Sequence, residues 1–408
     1  MTGPLEGIRV VELALEIQGP FAGFTLSELG ADVIKVENLG PGDTSRTVPL
    51  AKMVADPPAD RADFRHYFYT FNRGKRSVAI DLKSDGGREV LMRLLEDADV
   101  LISNFRIGVL DRLGFGYETL AERFPRLVYA VASGWGLRGP RTHYPSRDML
   151  AQAASGLMAK TGLDPAPPLP AGSNIADYSG AHMLVTAVLA ALVQRARTGK
   201  GQRVDVSLYG TMLAHQPWEI FQTALTGREP HRAGHAHPHM TGAWGGFRTA
   251  DGWLVLSSIT DGVWPTFCTI IGRPDLAADP HWTGKTRNVD GEAFRAIIEH
   301  AFTGRTTAEW MAELGPAGVL ATPAATWLEV IEDEQAIASG YIRTIDHPEL
   351  GPIKAVGSPI EFGGAELRNA ATAPALGSDT EAVLAELGYG DEDIGALREA
   401  GAISGRTA

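Results

Sequence analysis

The 408-residue sequence predicts an α/β fold that is built on a parallel sheet. Two β-α-β patterns in the N-terminal half support this prediction, because consecutive parallel strands need a crossover connection, usually a helix, between them. In the first pattern, a strand at 8–13 is followed by a helix at 21–29 and a strand at 31–37. In the second, a strand at 78–82 is followed by a helix and by a strand at 99–103. A chain of this length exceeds one ordinary core, so we expect two domains.

The middle of the chain continues this alternation. Helices are expected at 117–124 and 149–158, with a strand between them at 127–133. An apolar helix is expected from about 180 to 197, where a Gly-containing turn ends it. The alternating residues after that turn predict a strand at 203–208. The first half of the chain therefore predicts one continuous α/β domain.

The character of the sequence changes after about residue 211. Residues 228–246 are rich in glycine, histidine and proline, and the Asp-Gly pair at 251–252 predicts a hairpin turn. Helical patterns follow, then a stretch at 342–362 that resembles two strands, and then a helical tail after 379. This change indicates a second domain of mixed α and β structure.

The composition limits the kinds of partner that we expect. A net charge of −12 argues against a general nucleic-acid-binding protein, although local Lys and Arg residues could still hold a small anion. The single cysteine, Cys268, excludes an internal disulfide framework and a Cys-rich metal site. The N-terminus lacks the pattern of a secretory signal, and the longest apolar run, 183–193, is too short to cross a bilayer. We therefore expect a cytoplasmic protein with neither membrane nor nucleic acid as a partner.

Nucleotide and metal cofactors are not indicated either. Glu37 ends the second strand where a ribose-binding acid would lie, but the preceding loop has no G-x-G-x-x-G. No P-loop motif is present, and we expect neither a nicotinamide nor a flavin cofactor. Four histidines in the Gly/Pro-rich stretch suggest a metal site: His231, His235, His237 and His239. No acidic residue lies between Glu229 and Asp251, so we favour an ordinary loop and expect no metal.

Asp177 lies where the chain enters the long apolar helix. From its position alone, the ordinary interpretation is a helix N-cap, because an Asp side chain accepts hydrogen bonds from first-turn N–H groups. A catalytic role for this carboxylate needs support from the rest of the sequence.

The order and spacing of ten segments resemble the family III CoA-transferases, which include formyl-CoA transferase and the carnitine and bile-acid CoA-transferases. The segments are, in order, LEGIRVVEL, GPFAGFTLSELGADVIKVE, GPGDTSR, NRGKRSVAIDLK, ADVLISNFRIGVLDRLGFGYETL, ASGWGLRGP, RDMLAQAASGLM, IADYSGAHMLVTAVLAALVQRARTGKGQRVDVSL, FRTADGWLVLS and IGRPDLAADP. The resemblance covers nearly the whole chain.

The resemblance implies a two-domain fold. A large Rossmann-like parallel-sheet domain would be formed by the N-terminal half and the C-terminal tail, with a smaller α+β domain between them and an intertwined homodimer as the assembly. The limits that it implies are 1–205 for the first part of the large CoA-binding domain, 206–228 for a linker, 229–325 for the small domain, and 326–408 for a linker and the return to the large domain.

The resemblance also implies the site residues. Asp177 falls on the nucleophile of the family, and Gln18 falls on a glutamine beside the reacting carboxylate. A glycine-rich loop that covers this carboxylate falls on Gly242, Gly245 and Gly246. Contacts to CoA fall on six residues: Lys75, Arg76, Asn104, Phe105, Arg106 and Arg112. For the cations in this set, a solvated protein surface remains the alternative.

The implied activity is the transfer of CoA from an acyl-CoA donor to a carboxylic acid acceptor, with coenzyme A as the only cofactor. The carboxylate of Asp177 would form an acyl anhydride and then an aspartyl-CoA thioester. Asp177 must be ionised to do so, and we expect the helix N-terminus to favour the anion. The sequence does not identify the acids.

Some positions depart from the family pattern. Asn38 and Leu39 replace an Arg-Pro or Pro-Pro pair, Ile107 replaces a proline, and Ala176 replaces a glycine. The related racemases carry a catalytic histidine where this sequence has Arg147, and an arginine stays protonated and cannot act as an acid and base. An epimerase resembling the α-methylacyl-CoA racemases and a non-catalytic CoA-binding protein remain the alternatives.

Overall fold

The computed structural model describes residues 3–289 and 291–404. Its strands are β1 (Arg9–Leu13), β2 (Asp32–Glu37), β3 (Arg76–Ala79), β4 (Val100–Ser103), β5 (Val128–Ser133), β6 (Arg203–Ser207), β7 (Ala236–His237), β8 (Met240–Arg248), β9 (Trp253–Leu256), β10 (Ala321–Pro323), β11 (Ile342–His347) and β12 (Gly351–Val356).

The helices are α1 (Gln18–Glu28), α2 (His66–Asn72), α3 (Asp85–Glu96), α4 (Val109–Arg112), α5 (Tyr117–Arg123), α6 (Asp148–Ala154), α7 (Leu157–Lys160), α8 (Ile175–Thr198), α9 (Leu208–Ala214), α10 (Pro217–Thr226), α11 (Trp264–Ile270), α12 (Gly284–Asn288), α13 (Glu292–Phe302), α14 (Thr307–Leu314), α15 (Trp327–Val330), α16 (Glu334–Ala338), α17 (Thr380–Glu386) and α18 (Asp391–Glu399). Short 3₁₀ turns cover Thr44–Thr47, Leu50–Lys52 and Pro274–Ala278.

The central sheet confirms the α/β prediction. Its strand order is β3-β2-β1-β4-β5-β6, and every neighbouring pair is parallel. This is the order of a doubly wound sheet, in which helices cover both faces and ligands bind beyond the carboxyl ends of the strands. The carboxyl ends of β1 and β4 meet where the strand order reverses, so the loops after these two strands are the expected location of a site.

Both faces of this sheet are buried, as the period of two along a strand requires. In β1, Val11 packs into a core with Leu91 and Leu94 of α3. Its neighbour Val10 points to the other face, where it packs with residues of α1 and α8. The C-terminal tail belongs to this unit, since the Thr380 hydroxyl accepts a hydrogen bond from the backbone N–H of Ala79.

The chain divides into two compact units. The first comprises residues up to Ala151, Ser173–Ala214, and the residues from Glu334 onward. The second comprises Gln152–Gly172 and His215–Asp333. The domain limits that the resemblance implies stay a prediction.

The second unit has mixed α and β structure, in agreement with the predicted fold class. Its sheet has the antiparallel order β10-β9-β8-β7, and its core is rich in aromatic side chains such as Phe247, Phe267 and Phe294. Cys268 is buried in this core, and burial raises the pKa of its thiol to about 11. The thiol is therefore protonated and packed as a small apolar group.

Helix α8 is longer than the apolar run in the sequence suggested. By length and composition alone, it is the one helix within the described residues that could cross a membrane, and 39% of its most apolar window is buried. Ala181, Leu184 and Val188 pack in the core between α8, α1 and the sheet. These contacts are those of a core helix in a globular unit.

Two helix starts differ from the sequence prediction, and both differences bear on function. Helix α1 begins at Gln18 rather than near residue 21, because a proline, Pro20, is well accommodated in a first turn. Helix α8 begins at Ile175 rather than near residue 180, so Asp177 lies inside its first turn. The side chains of Gln18 and Asp177 are thus carried by helices instead of loops.

Candidate active site

Asp177 is not the N-cap of α8. Asn174 occupies the N-cap position and makes no capping hydrogen bond with its side chain. The first-turn N–H groups of Ala176 and Asp177 instead donate to Oδ1 of Asp148, at 2.7 Å and 3.2 Å. The carboxylate of Asp148, at the start of α6, therefore takes the hydrogen bonds that a cap would make. The side chain of Asp177 is left available for chemistry.

The surroundings of Asp177 favour the protonated form of its carboxyl group. Burial, then the negative charge of Asp148, and then that of Glu16 raise the pKa of the Asp177 carboxyl to about 7, while Arg147 acts in the opposite direction. The sequence analysis expected the helix N-terminus to favour the anion. The structure corrects this expectation, because the first-turn N–H groups are committed to Asp148. Near neutral pH, the carboxyl is about half ionised.

Gln18 lies against the N-terminal part of α8, at Gly180. It is only 5% exposed, and its Nε2 donates to the carbonyl of Val206 at 3.3 Å. A Cβ atom on Gly180 would lie 2.8 Å from that Nε2, so the absence of a side chain at residue 180 makes room for the amide. Asp177 precedes Gly180 by three residues and so shares its face of the helix. Gln18 therefore lies against the face of α8 that also carries Asp177, and the catalytic roles that the resemblance implies for both residues stay predictions.

Glu16 was not singled out in the sequence, yet it is fixed at this site. Its backbone has a φ of 67°, which is uncommon for a residue other than glycine and carries some strain. Tyr67 donates its hydroxyl to Oε2 at 3.1 Å, and Thr44 donates its hydroxyl to Oε1. The backbone N–H of Glu16 donates to Asp43 at 3.2 Å. The only signal in the sequence was an acidic residue two positions before Gln18.

Aromatic rings surround the first turn of α8 on one side. We call this set the aromatic cluster, and it consists of Phe21, Tyr67, Phe71, Tyr178 and His182. Phe21 lies 5.5 Å from Phe71, 5.7 Å from Tyr178 and 5.1 Å from His182, between ring centres. Phe71 also contacts Tyr67 and Tyr178, at 5.8 Å and 6.1 Å. The cluster joins Glu16, through Tyr67, to the residue that follows Asp177.

The four CoA-binding residues predicted near β4 lie at the carboxyl end of that strand. Asn104 exchanges two hydrogen bonds with the backbone of Leu15, at 2.9 Å and 2.6 Å, and thereby fixes the loop that carries Glu16. Phe105 and Arg106 line a surface cleft whose walls also include Tyr117, Tyr129 and Arg203. Arg112 is exposed at the end of α4, near Gly108.

Lys75 and Arg76 are placed differently from the prediction. The ammonium of Lys75 is fully buried and contacts Glu12 at 2.7 Å, Asn72 at 2.8 Å and the carbonyl of Pro20 at 2.8 Å. Its three N–H donors are therefore used inside the protein. Arg76 forms ion pairs with Asp32 and Glu386, each at 2.6 Å. This placement does not favour contacts to a phosphate, so we leave both residues out of the CoA site that we propose below.

The three predicted loop glycines lie within strand β8 of the second unit. Gly245 has a φ of 150°, and a Cβ atom there would lie 2.0 Å from the carbonyl oxygen of His235. The N–H of Gly246 donates to that same oxygen at 2.7 Å. A Cβ atom on Gly242 would collide with the carbonyl of Arg287. Close backbone packing thus explains Gly242 and Gly245, whereas a Cβ atom on Gly246 would make only ordinary contacts. The role of the three glycines over Asp177 stays a prediction.

The histidine-rich stretch forms an aromatic stack. His237 contacts both Trp218 and Trp244, at ring-centre distances of 4.8 Å and 5.3 Å, and the two tryptophan rings lie 6.1 Å from each other. Its Nε2 contacts Glu219 at 3.0 Å. Within residues 3–289 and 291–404, no group of three or more His, Cys, Asp and Glu side chains is placed to hold a metal ion.

Comparisons with known proteins identify the family. The family model described as CoA-transferase family III matches residues 5–380. The acetyl-CoA:oxalate CoA-transferase of Acetobacter aceti is 35% identical over 364 residues, which cover 89% of this chain and 90% of the relative. The succinyl-CoA:mesaconate CoA-transferase of Haloarcula hispanica is 35% identical over 393 residues, covering 95% and 97% of the two chains.

A solved structure agrees with these sequence comparisons. The crystal structure of a CAIB/BAIF family protein from Brucella suis is similar, with a TM-score of 0.81 and 34% identity. The match covers 95% of this chain and 100% of that protein. The protein is therefore an enzyme that belongs to CoA-transferase family III.

Proposed function

We propose that this enzyme moves CoA from an acyl-CoA donor to a carboxylic acid acceptor through covalent intermediates on Asp177. The observation that supports this proposal most directly is the setting of Asp177. Its side chain lies in the first turn of α8 beside Gln18, and another carboxylate takes the capping role. A carboxylate that serves neither as a cap nor in an ion pair is free to act as a nucleophile.

The first half of the reaction loads CoA onto the enzyme. A carboxylate oxygen of Asp177 attacks the thioester carbonyl of the donor, an oxygen–carbon bond forms, and the carbon–sulfur bond breaks. The products are an acyl-aspartyl anhydride and CoA thiolate. The thiolate then attacks the aspartyl carbonyl of the anhydride. The donor acid leaves as a carboxylate, and Asp177 carries CoA as a thioester.

The second half repeats these steps in reverse order with the acceptor. The acceptor carboxylate attacks the aspartyl thioester and releases CoA thiolate, which leaves a new anhydride. The thiolate attacks the acyl carbonyl of that anhydride, which forms the new acyl-CoA and regenerates the carboxylate of Asp177. No net proton transfer is needed. The amide of Gln18 is a candidate hydrogen-bond donor to the oxyanions that form along this path.

The raised pKa of Asp177 suits this chemistry. Once ionised, a carboxylate with a higher pKa is a stronger nucleophile, and a pKa near the working pH keeps a large fraction ionised. Burial and two neighbouring carboxylates supply this raised value. Asp177 is half-buried, and this burial limits the access of water that would hydrolyse an anhydride or a thioester.

For CoA itself, we propose a site at the carboxyl end of β4. Asn104, Phe105, Arg106 and Arg112 lie there, and ligands of doubly wound sheets bind beyond this edge. The guanidinium groups of Arg106 and Arg112 are exposed and can hold phosphates by charge-assisted hydrogen bonds. Lys75 and Arg76 have no part in this site, because their donors are committed to Glu12 and Asp32.

We also propose that the enzyme is a homodimer, as the resemblance implied. Helix α10 supports this proposal, because it contains no buried residue although it is largely apolar. Phe221 is 64% exposed and Leu225 is 71% exposed. An apolar face of this kind is typical of a protein–protein contact, and a second copy of the chain would cover it.

Substitution of Asp177 tests the proposed function. We expect Asp177→Asn to lower kcat by at least about a thousandfold with any active donor and acceptor, because an amide cannot form the anhydride. The affinity for free CoA, measured by calorimetry, is expected to change little. Asp32→Asn is the matched control, since Asp32 lies at the amino end of β2, away from the carboxyl ends of the strands. It forms partly exposed ion pairs with Arg9 and Arg76. Near-normal turnover in Asp177→Asn would contradict the assignment.

A further inference from the structure

Glu16 places a fixed negative charge beside Asp177. Its two carboxylate oxygens accept hydrogen bonds from Tyr67 and Thr44, which are neutral hydroxyl donors. Within the described part of the chain, no Lys, Arg or His side chain forms a salt bridge with Glu16. The loop that carries it is fixed in turn by the two hydrogen bonds between Asn104 and Leu15. The charge of Glu16 is therefore held in position and is not neutralised by a partner.

The charges around Asp177 are mainly negative. Asp148 and Glu16 both act on the Asp177 carboxyl as anions, and Arg147 is the cation that opposes them. The side chain of Arg147 is exposed, so solvent screens its charge more than it screens the charge of Asp148, which is buried. An acyl group on Asp177 that carried a second carboxylate would enter a region that already holds two like charges.

The aromatic cluster offers the opposite kind of surface. Phe21, Tyr67 and Tyr178 are partly exposed, and their rings contact Phe71 and one another within about 6 Å. His182 completes the cluster. Its residue is exposed overall, but partial burial of the imidazole lowers the pKa of that ring, which favours the neutral form. An uncharged acyl chain or a flat ring can pack on such a surface.

We infer that Glu16 and the aromatic cluster select acids whose acyl group has no second charge, that is, apolar or aromatic monocarboxylic acids. This inference rests on the proposed role of Asp177 as the nucleophile. It sets this enzyme apart from relatives whose names specify oxalate or mesaconate. Glu16 is then a specificity-determining residue, because its charge would act on the bound acyl group in addition to its effect on Asp177. The effect on Asp177 is common to all acids and cancels in a ratio of two exchange rates.

Exchange between an acyl-CoA and its own labelled acid tests the inference without knowledge of the natural pair. Butyryl-CoA with labelled butyrate is compared with succinyl-CoA and labelled succinate, because the two acyl chains have the same length. Phenylacetyl-CoA with labelled phenylacetate probes the aromatic surface. We expect the kcat/KM for exchange of butyrate and of phenylacetate to be at least about tenfold higher than that of succinate. Repulsion between the second carboxylate of succinate and one poorly screened negative charge is sufficient to produce a difference of this size.

The variant Glu16→Gln assigns the preference to a residue. We expect the succinate-to-butyrate ratio of kcat/KM to rise about tenfold in this variant, since the charge is removed and the side chain keeps its length. Tyr67→Phe is the matched control, because it removes the hydrogen bond and retains the charge of Glu16. In that control, the ratio is expected to stay within about threefold of its original value.

Three results would overturn the inference. The first is a wild-type preference for succinate, the second is an equal loss of both exchanges in Glu16→Gln, and the third is the same change of ratio in Tyr67→Phe. If no thioester exchanges with any acid, the proposed function itself is wrong. If exchange occurs and requires Asp177, but succinate is preferred, only the specificity inference is wrong.

Discussion

At the scale of single residues, the site is a set of carboxyl groups that differ in role. Asp148 takes first-turn hydrogen bonds of α8, Glu16 holds the Tyr67 hydroxyl, and Asp177 makes neither kind of contact. The three side chains carry the same carboxyl group, and their different surroundings give them different roles. These surroundings raise the pKa of the Asp177 carboxyl to about 7, and we propose that this carboxyl is the nucleophile.

The pH dependence of the reaction follows from this raised pKa. Below about pH 7, Asp177 is increasingly protonated and cannot attack, so we expect kcat/KM to fall about tenfold per pH unit on the acid side. Above pH 7 the carboxyl is ionised, and the rate is expected to level off. The measurement is initial-rate kinetics between pH 5 and 8.5 with a donor that does not itself titrate.

The variant Glu16→Gln provides the internal control for this profile. Removal of a negative neighbour makes ionisation of Asp177 easier, so the midpoint is expected to move to lower pH. A profile that is flat between pH 5.5 and 8.5, or a midpoint that moves upward in Glu16→Gln, would show that another group limits the rate.

At the scale of elements, helices α1 and α8 determine the site. Each begins several residues earlier than the apolar pattern suggests, so Gln18 and Asp177 both lie in first turns. First turns carry polar and small residues and therefore show little of the apolar periodicity that predicts a helix. The contact between Gln18 and α8 depends on Gly180, in the second turn of that helix, whose missing side chain leaves room for the amide.

Substitution of Gly180 separates function from stability. In Gly180→Ala, the new methyl group would lie 2.8 Å from Nε2 of Gln18, the end of a flexible side chain that can move aside. We expect the free energy of unfolding to change by less than about 1 kcal/mol, because alanine favours the helix. We expect kcat to fall about tenfold or more, because Gln18 leaves its position. Denaturant unfolding and initial rates measure the two effects.

A double-mutant cycle shows whether the effect passes through Gln18. In a Gln18→Ala background, Gly180→Ala is expected to cause little further loss of activity, since the displaced group is already absent. Ser179→Ala, at the preceding position of the same helix, is the matched control and should retain turnover. Additive losses in the double variant would mean that Gly180 acts on Asp177 by another route.

At the scale of the whole molecule, the sequence was a good guide to the central sheet. Strand and helix patterns repeat along the first half of the chain, and each crossover between parallel strands constrains the topology. The predicted strand at 203–208 corresponds closely to β6 (Arg203–Ser207), although it pairs with β5 across a long stretch of intervening sequence. The assignment to CoA-transferase family III is confirmed by the comparisons.

The roles of individual charges could not be predicted from sequence. Lys75 stands in a run of cations that suggests an exposed anion site, yet the ammonium is buried against Glu12. Glu12, the acidic partner of Lys75, lies 63 positions earlier in the chain, on β1, so the local sequence carries no signal for this ion pair. The same holds for Glu16, whose partner Tyr67 lies on α2. The resemblance placed Gly245 in a glycine-rich loop, whereas the structure places it within β8, where a close backbone contact requires a glycine.

The central claim, that Asp177 carries CoA, is tested most directly by mass spectrometry of the trapped intermediate. The enzyme is incubated with an acyl-CoA that it uses and is then quenched with hydroxylamine, which converts an aspartyl thioester or anhydride into a hydroxamate. We expect the hydroxamate on the peptide that contains Asp177 and its absence in Asp177→Asn. A turning-over enzyme with no modification of that peptide, or with the hydroxamate on another carboxylate, would contradict the account.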